Sequence, residues 1–288
     1  MTDSGSSPTI GDAIHQAAEA LETGGVVFGH GTDNAWDEAV ALVLSVTRLP
    51  DDRVSLNQPL TASVNARIQE LLGRRIAERI PLAYLLGHAP FAGLDFLIEP
   101  GVVIPRSPIA ELICQDFSPW LRQPPQRIID LCCGSGCIGI AAALNFPDAH
   151  LTLVDVDAQA VRLTRKNVSL HALGDRATVL HSDLFEALAP GGFDLILSNP
   201  PYVDGTDMRA LPPEYRHEPG LGLDGGPDGL SVVHRILAAV PERLNSGGIL
   251  VCEVGASAPA LLRAYPETEF FWPDLTGGGE GVFILSDH

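Results

Sequence analysis

The stretch "RIIDLCCGSGCIGIAAALNF", residues 127–146, contains a short apolar run, a loop with closely spaced glycines and a second apolar segment of helical length. Gly134 and Gly136 lie in this loop, and after the loop apolar residues recur at helical spacing. This order predicts a buried strand that passes through a tight turn into a helix. Such a unit places a ligand at the carboxyl end of the strand, beside the N-terminus of the helix.

The segments that follow repeat the alternation of strand and helix. It predicts an α/β fold with a mainly parallel sheet, helices on both faces and a ligand at the carboxyl ends of the strands. The last two predicted strands, 268–275 and 279–286, are joined by "TGGGEG" and are expected to pair antiparallel. The other predicted strands are 127–133, 150–156, 177–183, 193–199 and 247–254, and the predicted helices are 137–146, 158–171, 230–244 and 258–265.

The residues before the sheet have a different pattern. Residues 1–86 are predicted to form a small N-terminal helical domain, with Asp12 and Asn34 as N-caps and with Pro50 and Pro81 where helices end. Residues 87–106 are predicted to form a linking β-hairpin, and residues 107–288 the α/β domain. The helices of these parts are predicted over 12–24, 34–50, 62–80 and 109–121.

The charge of the chain limits its possible partners. The chain has 288 residues, a net charge of −18 and a single lysine, Lys166. A nucleic-acid binder needs Lys and Arg to neutralise phosphates, and no basic stripe is present, so we expect no direct sequence-specific binding of nucleic acid. An acidic surface attracts a basic partner, although the same charge also serves solubility.

Cysteine usage and hydropathy point to a soluble protein of the cytoplasm. Five cysteines, three of them in one turn as Cys132, Cys133 and Cys137, form neither a disulfide framework nor the spaced pairs of a zinc site. No metal is expected. The sequence contains no apolar run of about 18 residues and no leader pattern, so we expect a cytoplasmic protein without a membrane segment.

The glycine loop is compatible with two cofactors. Gly134, Gly136 and Gly139 match G-x-G-x-x-G, and Asp155 ends the second strand, which is the pattern of dinucleotide-binding enzymes. A dehydrogenase is therefore one alternative. Asp130, at the tip of the first strand, would repel a pyrophosphate, whereas S-adenosylmethionine has no phosphate and carries an ammonium and a sulfonium. The loop therefore favours S-adenosylmethionine.

Acidic residues at successive strand ends support this cofactor. Asp155 can accept hydrogen bonds from both ribose hydroxyls, and Asp183 can accept from the adenine amine. Each of the two could instead be only the N-cap of the next helix. Three acids at consecutive strand ends, with a Gly-x-Gly loop after the first, favour the cofactor over the caps.

A fourth strand ends in an unusual way, in "FDLILSNPPYV", residues 193–203. Two prolines fix the backbone after Asn199 and remove two N–H donors. The Asn199 side-chain oxygen and the Pro200 carbonyl can then accept both hydrogens of one planar –NH₂ group, while Tyr202 packs on its plane. Taken alone, the tetrapeptide Asn-Pro-Pro-Tyr, residues 199–202, predicts only a turn. At the end of this strand it predicts a platform for methyl transfer to an amide or aryl amine.

The motifs "SNPPYV" and "DLCCGSGCIGIA" resemble those of class I methyltransferases of the HemK kind, which modify glutamine side chains in proteins. The resemblance covers nearly the whole chain and implies a class I Rossmann-like methyltransferase sheet. "PRSPIAELI" (105–113) and "EYRHEPGLGL" (214–223) resemble the branch that acts on the large-subunit ribosomal protein L-three. The release-factor branch usually has Pro-Arg-Pro-x-Thr-Glu at the first place, from which Ser107-Pro108-Ile109 departs. Cys133 stands where a Thr is expected.

The resemblance implies roles for particular residues. Arg106 is a candidate ligand of the cofactor carboxylate or the substrate backbone, with a structural ion pair as the alternative. His217 is a candidate substrate-binding residue or general base, with loop ordering alongside Arg216 and Glu218 as the alternative. The predicted catalytic residues are Asn199, Pro200, Pro201 and Tyr202, and the predicted cofactor residues are Asp130, Gly134, Ser135, Gly136, Asp155, Asp183 and Asn199.

The predicted function is transfer of a methyl group from S-adenosylmethionine to the side-chain amide nitrogen of a glutamine, with S-adenosylhomocysteine as product. The expected substrate is the basic L-three-type ribosomal protein, free or in early assembly, with the helical domain of residues 1–86 as its recognition domain. A release factor is the alternative substrate. The alternative of an adenine-amine methyltransferase has less support, because the sequence shows no segment for extracting a base from a duplex. A ribosome-assembly binding module with a vestigial site is the alternative from outside the enzymes.

Overall fold

The computed structural model describes residues 7–49, 56–276 and 281–286. The chain divides into two compact units: Met1–His88 with Pro212–His217, and Ala89–Leu211 with Glu218–His288. Among the described helices, none combines the length and the apolar composition that crossing a membrane requires.

The first unit is a bundle of helices around one apolar core. Asn34 caps the second helix, as predicted, because its side chain accepts from Asp37 N at 2.9 Å. The prediction of Asp12 as a cap is wrong: Thr9 caps the first helix, and Asp12 is the N3 residue whose carboxylate bonds back to Thr9. Pro50 lies outside the described residues. The helices are α1 (Ile10–Thr23), α2 (Ala35–Thr47), α3 (Ala62–Glu78) and α4 (Leu82–Leu86).

A buried charge cluster holds the segment Pro212–His217 in this unit. Arg75 Nε donates to Glu38 Oε1 at 2.6 Å, and Glu214 Oε1 lies 3.6 Å from Arg75 Nη1 and 3.4 Å from Arg79 Nη1. Glu214 Oε1 also accepts from Val27 N at 2.9 Å. The side chains of Arg75, Glu38 and Glu214 are at most 4% exposed. Each buried charge therefore depends on its partners for compensation.

We expect Glu38→Ala to lower the free energy of unfolding by about 3 kcal/mol, because it leaves the Arg75 guanidinium buried without its shortest ion pair. Glu70→Ala is the matched control. It removes a carboxylate that pairs with Arg67 in the open, and it should cost less than about 0.5 kcal/mol. Urea unfolding followed by circular dichroism measures both. Equal losses for the two variants would contradict the account of the cluster.

The second unit contains a two-stranded sheet and a six-stranded sheet in the order β5-β4-β3-β6-β7-β8. All neighbouring pairs in the large sheet are parallel except β7 with β8, so the predicted α/β class is confirmed. The strands are β1 (His88–Phe91), β2 (Leu94–Leu97), β3 (Arg127–Leu131), β4 (His150–Asp155), β5 (Ala177–His181), β6 (Phe193–Ser198), β7 (Leu244–Glu253) and β8 (Val282–Ser286). The helices are α5 (Ile109–Cys114), α6 (Cys137–Asn145), α7 (Ala158–Leu170), α8 (Asp207–Ala210), α9 (Ser231–Arg243) and α10 (Ala258–Ala264).

Two predicted elements differ from the structure. The helix predicted over 109–121 ends at Cys114, because Asp116 and Phe117 adopt positive φ angles of 51° and 55° that an α-helix cannot contain. The strand predicted over 268–275 is wrong: only Phe271 forms an isolated antiparallel bridge, with Ile284. The antiparallel partner of β8 is β7, and the turn residues 277–280 lie outside the described part of the chain.

The strand order fixes where a ligand can bind. The chain moves from β3 outwards to β4 and β5, then returns to the other side of β3 with β6. β3 and β6 are parallel, and Leu131 is in register with Ser198. The loops after these two strands therefore leave the same edge of the sheet side by side, at the switch point where open α/β sheets bind ligands.

Candidate active site

The loop after β3 folds tightly because three of its residues adopt left-handed backbone angles: Cys132 (φ 56°), Gly134 (φ 57°) and Gly136 (φ 81°). Gly136 is the N-cap of α6, and a Cβ there would lie 2.9 Å from Thr164 Cγ2. Gly139 in α6 passes so close to β3 that a Cβ would lie 2.7 Å from Asp130 Cβ. These glycines let the helix start directly over the strand end.

Asp130 lies beneath this loop and is 1% exposed. Its Oδ2 accepts from Gly139 N at 2.8 Å, while its Oδ1 is buried without a hydrogen-bond partner among the residues that the structure describes. Burial, with a smaller contribution from Asp155, raises the pKa of Asp130 to about 7. A carboxylate oxygen without a partner suits a cationic ligand and disfavours a phosphate.

Asp155 ends β4 and borders the same loop. Its Oδ2 accepts from Gly134 N and its Oδ1 from Asp157 N, both at 2.8 Å. Each oxygen keeps a second lone pair for a ligand hydroxyl. Asp157, not Asp155, caps α7, so capping does not explain Asp155. Burial raises the pKa of Asp155.

Asp183 lies two residues beyond β5 and lines a surface pocket. Its Oδ2 forms an ion pair with Arg235 Nη2 at 2.9 Å, a contact that the sequence analysis did not predict. The pocket is lined by Val156, His181, Ser182, Asp183, Glu186 and Ala187. The residues that follow β4 and β5 therefore line an open surface pocket that includes the Asp183 carboxylate, and the assignment of Asp183 to the adenine amine stays a prediction.

Asn199 follows β6 at the switch point. Ser198 Oγ donates to Leu131 O at 3.0 Å and joins the ends of β6 and β3. The Asn199 side chain is half-buried, and within the described ranges of the chain it has no hydrogen-bond partner. Pro200 is buried and Pro201 half-buried. An amide that can both accept and donate is thus held on a rigid backbone.

Tyr202 is held at three points. Its hydroxyl donates to Glu253 Oε1 at 2.7 Å, and its carbonyl accepts from Ser257 Oγ at 2.9 Å. Gly255 lies against the ring, where a Cβ would be only 2.5 Å from Tyr202 Cε2. Val203 continues the restraint, because its N–H donates to Leu223 O at 2.9 Å. These contacts hold the ring in a fixed orientation.

Arg106 and His217, the candidate substrate-binding residues, both have hydrogen-bond partners within the fold. Arg106 Nη1 and Nη2 each lie 2.6 Å from an oxygen of Glu218, whose Oε1 also accepts from Ile104 N at 2.9 Å. This is the ion-pair alternative that the sequence left open. His217 is exposed, and its Nε2 lies 3.0 Å from Glu78 O within the first unit, which favours the loop-ordering alternative.

Sequence reasoning missed the residues that support this site. Glu253, Ser257 and Gly255 hold Tyr202, and Arg235 pairs with Asp183. One signal was available: "CEVG" places an acid at the carboxyl end of β7, at the same edge of the sheet as the other acids.

The comparisons with known proteins agree with this geometry. A model of the "Methyltransferase small domain" family matches residues 111–211. Two crystal structures of the hMettl16 catalytic domain, in complex with MAT2A 3'UTR hairpins 1 and 6, have TM-scores of 0.54 and 0.56. Their sequences are 17% and 16% identical to this chain. Each match covers 85% of this chain, and it covers 90% and 92%, respectively, of the two solved chains. At this identity the likeness concerns the fold. Fold and family model together define a methyltransferase.

Closer relatives narrow the class. "Ribosomal protein uL3 glutamine methyltransferase" of Bordetella pertussis (strain Tohama I) is 44% identical over 96% of this chain and 95% of its own length. The protein of the same name from Francisella tularensis (strain SCHU S4) is 42% identical over 96% of this chain and 90% of its own. The chain belongs to the family of ribosomal protein uL3 glutamine methyltransferases.

The raised pKa of Asp130 predicts how cofactor binding depends on pH. Below about pH 7 its carboxyl is neutral, and above this value it is charged. A cation beside Oδ1 favours the charged form, so binding should release a proton near neutral pH. Affinity for S-adenosylhomocysteine, which keeps the ammonium, should fall about tenfold from about pH 8 to about pH 6.

Titration calorimetry in two buffers of different ionisation heat measures both quantities. Asp130→Asn is the control: it keeps an acceptor for Gly139 N and removes the titration, so its affinity should be weaker and nearly independent of pH. Wild-type binding without proton release would contradict the assignment of Asp130 to the cation.

Proposed function

We propose that this protein transfers a methyl group from S-adenosylmethionine to the side-chain nitrogen of a glutamine in ribosomal protein uL3. The observation that carries the proposal is the Asn199 amide, which has no partner among the described residues and follows a strand end joined to β3. The names of two relatives that match over nearly the whole chain supply the substrate.

The residues around the β3 loop fit the cofactor. The unpartnered Oδ1 of Asp130 would face the cationic part of S-adenosylmethionine. The loop at Gly134, Ser135 and Gly136 would follow the chain of the cofactor. Asp155 would accept hydrogen bonds from the ribose hydroxyls. S-adenosylmethionine, when bound, supplies an electrophilic methyl group on a sulfonium and leaves as S-adenosylhomocysteine. Nothing in this chemistry requires a metal, and the described residues contain no cluster of metal-ligating side chains.

Asn199 and Pro200 make the amide nitrogen reactive. A glutamine nitrogen is a weak nucleophile because its lone pair is delocalised into the carbonyl. When Asn199 Oδ1 and the Pro200 carbonyl accept hydrogen bonds from the two N–H groups of the glutamine amide, the nitrogen is oriented and is stabilised as positive charge develops on it. Tyr202 supports the amide plane, and Pro201 keeps the backbone from moving. The methylated nitrogen then loses a proton to water, and no base is assigned.

The charge of the chain supports a basic protein as substrate. With 36 acidic and 18 basic residues, the protein attracts a cationic partner and is repelled by RNA phosphates. We therefore place its action on free or early-assembly uL3 in the cytoplasm. A release factor remains the alternative substrate. An adenine amine has less support, because solved structures below 25% identity carry the fold and not the substrate.

The direct test incubates the protein with labelled S-adenosylmethionine and, in separate reactions, with free uL3, mature large subunits and a release factor. We expect transfer to free uL3 to exceed transfer to mature subunits, and kcat/KM to fall as salt rises, because screening weakens the charge attraction. Mass spectrometry should place the methyl on one glutamine, and changing that residue to Glu should abolish transfer. Preferred transfer to the release factor would overturn the choice of substrate.

Asn199→Ala is the matched catalytic control in this assay. Loss of one of two preorganised acceptors should lower kcat by about 10² or more, while affinity for the cofactor stays within about threefold. A variant that keeps wild-type turnover would refute the role of Asn199. Absence of transfer by the wild-type protein to all three substrates would favour the binding module over the enzyme.

A further inference from the structure

Glu253, the last residue of β7, is a buried carboxylate to which the methyl transfer assigns no role. It is 4% exposed. Its Oε1 accepts from the Tyr202 hydroxyl at 2.7 Å and its Oε2 from Ser107 Oγ at 2.6 Å. Burial raises the pKa of Glu253, while these two hydrogen bonds and the charge of Arg106 oppose the shift. The ionised group has no proton of its own and can accept from both hydroxyls with both of its oxygens.

The carboxylate reaches the site through Tyr202. The ring already lies against Gly255, and the Tyr202 carbonyl is held by Ser257. These contacts restrain the backbone and one side of the ring, whereas the hydroxyl bond to Glu253 fixes the far end of the side chain. On the other side, Ser107 also accepts from Ile109 N at 3.2 Å at the start of α5, so the carboxylate is itself held by an ordered element.

We propose that Glu253 is a positioning residue for methyl transfer: held by Ser107, it fixes through Tyr202 the surface on which the glutamine amide is oriented. The inference rests on the proposed function for the identity of the substrate. The amide must be aligned with the methyl to within a fraction of an ångström, and a small rotation of its support costs rate without loss of cofactor affinity.

The test compares Glu253→Gln, Tyr202→Phe and the double variant. Gln keeps the size of Glu but loses the charge and replaces one acceptor oxygen with an NH₂ donor, so the two hydroxyls can no longer each donate to an oxygen of their own. We expect kcat on uL3 to fall about tenfold in each single variant, with the Kd for S-adenosylhomocysteine within about twofold. Because Glu253 acts through Tyr202, the double variant should be no slower than the slower single variant.

Two further variants separate positioning from simple stability. Asp194→Asn alters another multiply hydrogen-bonded carboxylate, which accepts from Gln126 N, Arg127 N and Asn245 Nδ2 at the opposite end of β6. It should lower thermal stability and leave kcat unchanged. At the other partner of Glu253, Ser107→Ala should lower kcat, and Ser107→Thr, which keeps the hydroxyl, should restore most of it.

Hydrogen exchange gives a readout that does not depend on activity. The Val203 N–H, bonded to Leu223 O, should exchange faster in Glu253→Gln and Tyr202→Phe than in the wild type and in Asp194→Asn. If the wild type methylates none of the substrates, the proposed function fails and the positioning role fails with it, whereas exchange still decides whether Glu253 orders the segment around Tyr202. Unchanged exchange at Val203, multiplicative losses in the double variant, or a loss confined to cofactor affinity would each overturn the inference.

Discussion

The parallel pairing of β3 with β6 is the constraint on which the site depends. It puts Leu131 in register with Ser198, and the Ser198 hydroxyl bonds the Leu131 carbonyl where both strands end. The glycine loop and the Asn-Pro-Pro-Tyr segment then begin next to each other. Under the proposed function, methyl donor and acceptor nitrogen must meet along one line, and two chain segments that leave adjacent strands would bring them together.

Rigidity is concentrated on the acceptor side. Two prolines, the fixed Tyr202 ring and the Glu253 carboxylate remove conformational freedom before the substrate arrives. This order has an electrostatic cost, because Asp130 and Glu253 are buried, Asp155 is half-buried, and the pKa values of all three acids are raised. Under the proposed function a cationic cofactor would offset that cost at Asp130, whereas hydrogen bonds from Tyr202 and Ser107 offset it at Glu253.

The predictable part of the site lies where local sequence determines the structure. Strand ends, glycine turns and the effect of proline on Asn199 are short-range properties, so the positions of Asp130, Asp155 and Asn199 at the strand ends could be located from the pattern of the chain. Tyr202 and Glu253 are 51 positions apart, and no periodicity reports that pairing. Similarly, Glu214 joins the helical unit through Arg75 and Arg79, a contact that depends on tertiary folding. The wrong prediction at the start of α1 has a local cause: Asp12 was expected to be the N-cap, but Thr9 is the N-cap and Asp12 is the N3 residue of the capping box.

The central claim is that Asn199 and Pro200 hold a glutamine amide for methylation. A crystal structure of the protein with S-adenosylhomocysteine and a glutamine-containing peptide of uL3 tests it most directly. The account predicts the glutamine nitrogen within hydrogen-bond distance of both Asn199 Oδ1 and the Pro200 carbonyl, with the Tyr202 ring against the amide and the sulfur of the cofactor in line with the nitrogen. A glutamine bound elsewhere, with Asn199 hydrogen-bonded only to the cofactor or to water, would contradict it.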